Sequence, residues 1–337
     1  MNEEKTMKKD RKEPGPDQTY LAFDIGGTGI KYALLDEEAN ILEQNETPTP
    51  KESLDDFLDI IRSVYESYAG MNLQALVMSA PGRIDSETGY FYTGGALNYL
   101  NECDMAAHIS SFCPLDFTVI NDAKAAALAE LWKGALKDAD SGIVITLGTG
   151  IGGAVVVDGK LWQGHTSAAG EFSGIPLQWN TRHSGVSGCW TSINSTTALM
   201  DQYAQRTGHE RSEVNGRTFF AALEQGEADA REELDWFAET LATAVFGLQL
   251  ILDVEKVCIG GGISRQPALL NAIQKAVINL FERMPVWSPA SMPEVKTCRF
   301  FNEANLIGAL YEHKNRTKNP TKEKTGKSET RQEHSGN

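Results

Sequence analysis

The stretch "TLGTGIGGAVVVDGKLW", residues 146–162, decides between two folds. Gly148, Gly150 and Gly153 have the spacing of the dinucleotide-binding fingerprint, and Glu171 lies at a tempting distance beyond them. That fingerprint needs a helix to open at the glycines, so that phosphate rests on the helix N-terminus. Here a β-branched run and an Asp-Gly turn follow instead, which is the pattern of a hairpin. The chain has no GxxxxGK[ST] segment, which excludes a P-loop. The stretch therefore reads as strand, glycine-rich turn, strand.

The same pattern occurs earlier, in "DIGGTGIKYALLD" at residues 24–36, and the triplet Thr-Gly-Ile recurs at Thr28 and Thr149. Two such segments suggest two lobes that each begin with one hairpin. Between and after them, apolar strands alternate with helical patterns. "KESLDDFLDIIRSVYESYAG" places Leu54, Phe57, Leu58, Ile61 and Val64 on one helical face closed by Gly70. "LQALVMSA" and "DFTVI" read as buried strands, with the short helix "MAAHISSFC" between them and the helix "DAKAAALAELWKG" after the second. In the second half, helices are expected around 192–206 and 229–252, then the strand "KVCIGG" and the helix "QPALLNAIQKAVINLFERM". A strand "VKTCRF" and a last helix "NEANLIGALYEH" follow. Strands followed by helices in both halves give an α/β protein of two lobes with a cleft between them.

Composition bounds the function. The 337 residues are 41% hydrophobic and 8% aromatic, enough for a substantial core in two domains. The longest apolar runs, such as "LATAVFGLQLILDV", are too short to span a bilayer, and the charged first residues lack the apolar centre of a signal peptide. A cytoplasmic protein without membrane contact is expected. The net charge is −15, and both ends are basic, so the body is more acidic than the whole. An acidic body repels nucleic acid. The five cysteines form no CxxC pair and read as separate reduced thiols. Residues 1–17 and the basic tail 314–337 are expected to be disordered extensions. Residues 18–120 with 302–313 would form the smaller lobe, and 121–301 the larger lobe.

Three glycine clusters stand at the ends of apolar strands: "DIGGTGIK", "LGTGIGG" and "IGGGIS" at 259–264. Bare backbone lets N–H groups approach phosphate oxygens, and Thr28 and Thr149 add hydroxyl donors. Phosphoryl transfer to an alcohol needs positioning, Mg²⁺ and a carboxylate beside the accepting hydroxyl. Asp122, after the strand ending at Asn121, is either that base or a helix N-cap. Asp24 could approach Mg²⁺ through water, and Lys31 could meet a phosphate or simply point outward.

In order and spacing, "AFDIGGTGIKYALLD", "SAPG", "INDAKAAALAE", "LGTGIGGAVVVDGKLWQG", "AAGEFSG" and "CIGGGIS" resemble the ROK family of repressors and sugar kinases. The resemblance runs from about Tyr20 to His313. It implies a two-lobed, actin-like (ribonuclease-H-like) ATPase fold with ATP and sugar in the cleft, and a homodimer. It implies Asp122 as the base acting on the sugar hydroxyl. Nucleotide and phosphate contacts would fall to Asp24, Gly26, Gly27, Thr28, Lys31, Gly148, Thr149, Gly150, Gly152, Gly260, Gly261 and Gly262. Sugar contacts would fall to Gly82, Gly95, Asn98, Asn121, Asp122 and Glu171.

The sequence departs from the family where relatives carry GEIGH and CxCGxxGCxE segments that bind a structural zinc. Here they read "GEFSG" and "SGVSGCWT", so Gly174 and Thr191 stand where the histidine and glutamate would. Cys189 and His183 supply at most two of the roughly four ligands that tetrahedral zinc needs, so no structural zinc is expected. In zinc-bearing relatives that histidine and glutamate also bind the anomeric side of the sugar. Their loss widens that end of the pocket for a sugar with a substituted anomeric oxygen. The pattern, with "GGALNYL" and "TSINSTTALMDQYAQRTG", looks most like bacterial β-glucoside kinases, which phosphorylate the glucose 6-hydroxyl. A glucokinase or an N-acetylmannosamine kinase is the alternative within the family. A non-catalytic sugar sensor or a repressor is the alternative outside catalysis. The 23 residues before Asp24 are too few for a helix-turn-helix domain, and neither Asp122 nor the DIGGT segment is lost.

Overall fold

The computed structural model describes residues 18–178, 188–284 and 290–318. The first lobe is built on a five-stranded sheet. Its strands are β1 (Thr19–Ile25), β2 (Gly29–Asp36), β3 (Ile41–Pro48), β4 (Leu73–Ala80) and β8 (Asp116–Asn121), in the order β3-β2-β1-β4-β8. The strands β1 to β3 form an antiparallel meander, whereas β4 and β8 run parallel to β1. Three two-residue strands, β5 (Ile84–Asp85), β6 (Tyr90–Phe91) and β7 (Cys103–Asp104), form a small separate sheet.

The second sheet repeats the first. It comprises β9 (Gly142–Leu147), β10 (Ile151–Val157), β11 (Lys160–Trp162), β12 (Lys256–Gly260) and β13 (Glu294–Thr297), in the order β11-β10-β9-β12-β13. Again a meander of three antiparallel strands is followed by two parallel additions. Residues 146–162 run from the end of β9 through β10 and β11, and the glycine-rich turn at 148–150 joins β9 to β10 in the expected hairpin.

Helices fill three layers. On the outer face of the first sheet lie α1 (Leu54–Ser67) and α2 (Met105–Ser110). Helix α1 starts where Ser53 accepts a hydrogen bond from the Asp56 N–H at 3.1 Å, with Asp55 and Asp56 placed to meet the helix dipole. Its buried Phe57, Leu58, Ile61 and Val64 pack with Leu21, Phe23, Leu76 and Met78. Each such side chain contributes about 1.5–3 kcal/mol when fully buried.

Against the outer face of the second sheet pack α5 (Thr196–Thr207), α6 (Gly216–Glu224), α7 (Ala228–Leu252) and α8 (Pro267–Arg283). The expected helix around 192–206 is divided. A single turn, α4 (Thr191–Asn194), ends at Ser195, which then caps α5 by accepting from the Ala198 N–H at 3.0 Å.

The middle layer joins the lobes. Helices α3 (Asp122–Lys133) and α9 (Ala304–Lys318) lie between the two sheets. One continuous core runs from Ala22, Ala33 and Val77 through Ala125, Leu128, Leu306 and Leu310 to Val144, Val156 and Cys258. The alanine-rich sequence of α3 permits a close approach: a Cβ added at Gly308 of α9 would lie 1.7 Å from the Ala125 carbonyl oxygen. Helix α9 runs to Lys318, beyond the His313 boundary read from the sequence, because its last turns remain attached to the body. Arg316 donates to the carbonyls of Ser86 and Glu87 at 2.6 and 2.9 Å. Lys314 lies 5.9 Å from the Tyr20 ring centroid.

Candidate active site

Asp122 is the first residue of α3, immediately after β8. The cap that the sequence left open between base and capping residue belongs to its neighbour. Asn121 accepts the Lys124 N–H on Oδ1 at 3.1 Å, and it is Asn121 that has the extended backbone of an N-cap. Asp122 is thereby released from capping. Its Oδ1 accepts from the Ala123 N–H at 2.8 Å and from Asn121 Nδ2 at 3.0 Å, and among the described residues none hydrogen-bonds Oδ2. Burial pushes the Asp122 carboxyl up to about 6, helped by the negative charges of Asp24 and Glu171 and opposed by its hydrogen bonds. A carboxylate held by one oxygen, with its pKa near neutrality, is suited to accept a proton.

Asp24 sits near the end of β1, its Oδ1 accepting from Ser79 Oγ at 3.0 Å and Asn305 Nδ2 at 2.9 Å. Asn305 lies on α9, so the middle layer holds this carboxylate as well as Asp122. Burial raises the Asp24 pKa, against the lowering effects of Asn305, Ser79 and Lys31. Lys31 stands opposite Asp24 in the β1–β2 register and opposite Glu46 in the β2–β3 register. Paired positions share a sheet face, which puts Lys31 between two acidic positions, and its charge lowers the Asp24 pKa. The following turn is closed by the Gly26 N–H donating to the Gly29 carbonyl at 2.9 Å, with Gly27 and Thr28 exposed at its tip.

Of the sugar candidates, Gly82 adjoins Asn121 and Gly95 adjoins Gly82. Asn121 Nδ2 also donates to the Gly82 carbonyl at 3.0 Å. Gly82 has φ +99° and leaves no room for a side chain, since a Cβ would lie 2.0 Å from the Thr93 carbonyl oxygen. The two glycine turns stack, with Gly95 against Pro81 and Gly82, and Asn98 begins the short 3₁₀ turn that follows. Glu171 follows β11 at the end of an irregular segment; the residue is exposed, and its carboxyl is raised by partial desolvation and held down by Lys124 and Arg83. Asn121, Asp122, Gly82 and Gly95 thus adjoin, and Asp24 and Glu171 are near enough to Asp122 to raise its pKa.

A separate cavity of about 330 Å³ lies beside the second sheet. Gly148, Thr149 and Gly262 line it, together with Thr196, Thr197 and Asn215. The Thr196 N–H donates to the Gly148 carbonyl at 2.9 Å, fixing the β9–β10 turn to the start of α5. Gly261, at φ +94°, comes so close to Leu147 that a Cβ would lie 2.2 Å from its carbonyl oxygen. Gly260 is buried beside Cys298, and Gly152 lies within β10, where a Cβ would meet Ala123 at 2.8 Å. The Gly26–Thr28 turn is not among the residues lining this cavity. Thr196, Thr197, Asn215 and Gly216 had not been singled out as site residues; the Asn-Gly pair at 215–216 was the available turn signal.

Gly174 ends a short 3₁₀ turn, and a Cβ built there meets nothing within 4 Å. Thr191 is committed elsewhere: its Oγ1 accepts the Ile151 N–H at 3.0 Å, at the start of β10. Cys189 is a free thiol whose backbone pairs with Pro176 in an isolated antiparallel β-bridge, and His183 lies outside the described residues. Among the described residues, no group of three or more His, Cys, Asp or Glu side chains is arranged to hold a metal ion.

A model described as the ROK family matches residues 20–315. A β-glucoside kinase from Listeria innocua is 27% identical over 293 residues, covering 86% of this chain and 95% of its own. A solved ROK family protein from Streptococcus pneumoniae, in complex with sucrose, has a TM-score of 0.79 at 27% identity and covers 89% of this chain and 99% of its own. A ROK family glucokinase from Streptomyces griseus, in complex with glucose and AMPPNP, has a TM-score of 0.74 at 26% identity, covering 87% and 98%.

Proposed function

We propose, from the premise that the chain belongs to the ROK family and has its actin-like two-lobed fold, that it is an ATP-dependent sugar kinase acting on the 6-hydroxyl of a hexose unit, with β-glucosides as its acceptors. The observation that carries the reading is Asp122: relieved of capping by Asn121, held through Oδ1, and raised to about 6. In this reading the sugar 6-oxygen attacks the γ-phosphorus and the bond to the β,γ-bridging oxygen breaks. The hydroxyl proton passes to Asp122, and ADP departs. Asn121, Glu171, Asn98 and the paired turns at Gly82 and Gly95 orient the sugar. The turns at Gly26–Thr28 and Gly148–Gly150 supply N–H groups to the phosphates, and the cavity by Thr196 and Gly262 takes the base and ribose. Mg²⁺ arriving with ATP offsets phosphate charge. Asp24 fits such an ion, because both of its hydrogen bonds use Oδ1 and none among the described residues reaches Oδ2.

Support for a substituted anomeric oxygen comes from two positions. Gly174 opens onto unfilled space, and the Thr191 hydroxyl is occupied with the Ile151 N–H. Neither projects an ionisable group where zinc-bearing relatives carry a histidine and a glutamate. Sucrose, bound in the Streptococcus pneumoniae relative, has no free anomeric hydroxyl either. The test is ATP consumption by the purified protein with cellobiose, methyl β-glucoside, glucose and N-acetylmannosamine in turn. Turnover highest on the two β-glucosides supports the reading, turnover highest on glucose makes it a glucokinase, and sugar binding without turnover removes kinase activity altogether. Asp122→Ala is expected to lower kcat at least about 100-fold while sugar binding stays within a few-fold. Comparable turnover would remove Asp122 from the role of base.

A further inference from the structure

Lys124 is a fully buried lysine that the proposed reaction does not use. Only 1% of its surface is exposed, on the inner side of α3 two residues after Asp122. Lysine is almost never buried to that degree without a partner. Its Nζ donates to the carbonyl of Ser167, in the segment between β11 and Glu171. Ser167 has φ +58°, a left-handed conformation uncommon outside glycine. The segment is fastened at its two ends by other means. Gln163 hydrogen-bonds Ser86 at 3.1–3.3 Å, and Gly170 presses on β10, where a Cβ would lie 2.9 Å from Ala154 Cα. Between them, no hydrogen bond from any other side chain among the described residues reaches Ser167. The Lys124 charge also acts on Glu171 and the Glu171 charge on Lys124, so the two groups are neighbours electrostatically.

We infer that Lys124 is a positioning residue of the sugar site: it ties the 163–171 segment to α3 through the Ser167 carbonyl and, by charge, holds Glu171 in place beside Asp122. One rigid helix then sets both carboxylates, the base directly and the sugar ligand through the ammonium. The part concerning the sugar rests on the proposed function; the tether itself does not.

The experiment has two arms. In the first, sugar and ATP kinetics are measured for wild type, Glu171→Gln, Lys124→Met and the double variant. Lys124→Met is expected to raise the KM for methyl β-glucoside roughly tenfold, in the range for loss of a hydrogen bond to a charged group. The ATP KM should stay within about twofold. In the Glu171→Gln background the same change should add less than about twofold, because the two residues act as one unit. An unchanged sugar KM, or the full tenfold added on top of Glu171→Gln, overturns the inference. In the second arm, amide hydrogen exchange needs no turnover. Exchange in residues 163–171 should rise at least about tenfold in Lys124→Met while residues 26–29 keep the wild-type rate. Equal protection of 163–171 in both proteins overturns the tether even if the kinase reading stands, and a wild type without sugar turnover overturns the kinase reading while this arm still decides the tether. Should Lys124→Met fail to fold, Lys124→Gln, which keeps a donor but no charge, is read by the same criteria with a smaller change in exchange than in KM.

Discussion

Asp122 carries a cost in stability that follows from its setting. Its carboxyl is raised from 3.8 to about 6, so the native state holds the proton more tightly than the unfolded chain. Stability therefore falls as pH rises between those two values, and above about 6 the whole cost is present. A shift of that size corresponds to at most about 3 kcal/mol. Asp122→Asn is accordingly expected to stabilise the fold by about 1–3 kcal/mol at pH 8 and by much less at pH 4, in urea unfolding at the two pH values. An equal gain at both would mean that the charge is not what is disfavoured. Gly174 offers a second test at this scale. Because a side chain there meets open space, Gly174→His should change stability by less than about 0.5 kcal/mol. It should also lower kcat/KM for cellobiose relative to glucose roughly tenfold; an unchanged ratio would detach Gly174 from the anomeric end. The sequence located Asn121 and Asp122 but could not divide their duties, since either side chain can cap a helix and only backbone geometry shows which one does. Lys124 was invisible for a related reason: a lysine in a helix reads as a solvated residue until burial is known.

Elements were legible in proportion to their length. The hairpins and the long amphipathic helices announce themselves by period, and α1 buries the face read from its sequence and ends shortly before Gly70. The strands β5, β6 and β7 were missed because two residues establish no alternation. Helix α6 was missed although Asn215 and Thr218 form a capping box at its start. The role of α9 was equally hidden, because packing between two sheets leaves no mark in its own sequence beyond a glycine. That glycine supplies the prediction for this scale. Gly308→Ala would drive a methyl group into the Ala125 carbonyl, and the backbone of α3 can yield only by shifting the helix. The expected destabilisation is about 1–3 kcal/mol or more, with loss of turnover, as Asp122 and Asn305 ride on the two displaced helices. A variant with wild-type denaturation midpoint and activity would show that the helices do not pack as closely as described.

At the scale of the whole molecule, the hairpin that opens each five-stranded sheet is what the recurring Thr-Gly-Ile triplets suggest, readable because glycine turns punctuate both; the full strand order was not. How the sheets are coupled was not readable. The core shared through α3 and α9 makes each sheet a partner in covering the other's inner helices. All six tryptophans lie between residues 132 and 287, and none lies in residues 18–120. Tryptophan emission therefore reports the chain from residue 132 onward, whereas far-ultraviolet circular dichroism reports every helix and strand. The shared core predicts coincident midpoints for the two signals in guanidinium unfolding. Midpoints separated by more than about 0.3 M would mean that the lobes melt independently, since that gap is roughly 1 kcal/mol for domains of this size.

The position of α9 in the chain also governs the birth of the protein. Translation delivers the first sheet and α3 early, yet the inner face formed by Ala22, Ala33 and Val77 stays only partly covered until Leu306, Ile307 and Leu310 arrive after every other described strand and helix has been made. A nascent first lobe thus spends most of synthesis with one apolar side half covered, the condition under which chains recruit chaperones or associate with one another. The middle layer is complete only when α9 has been made.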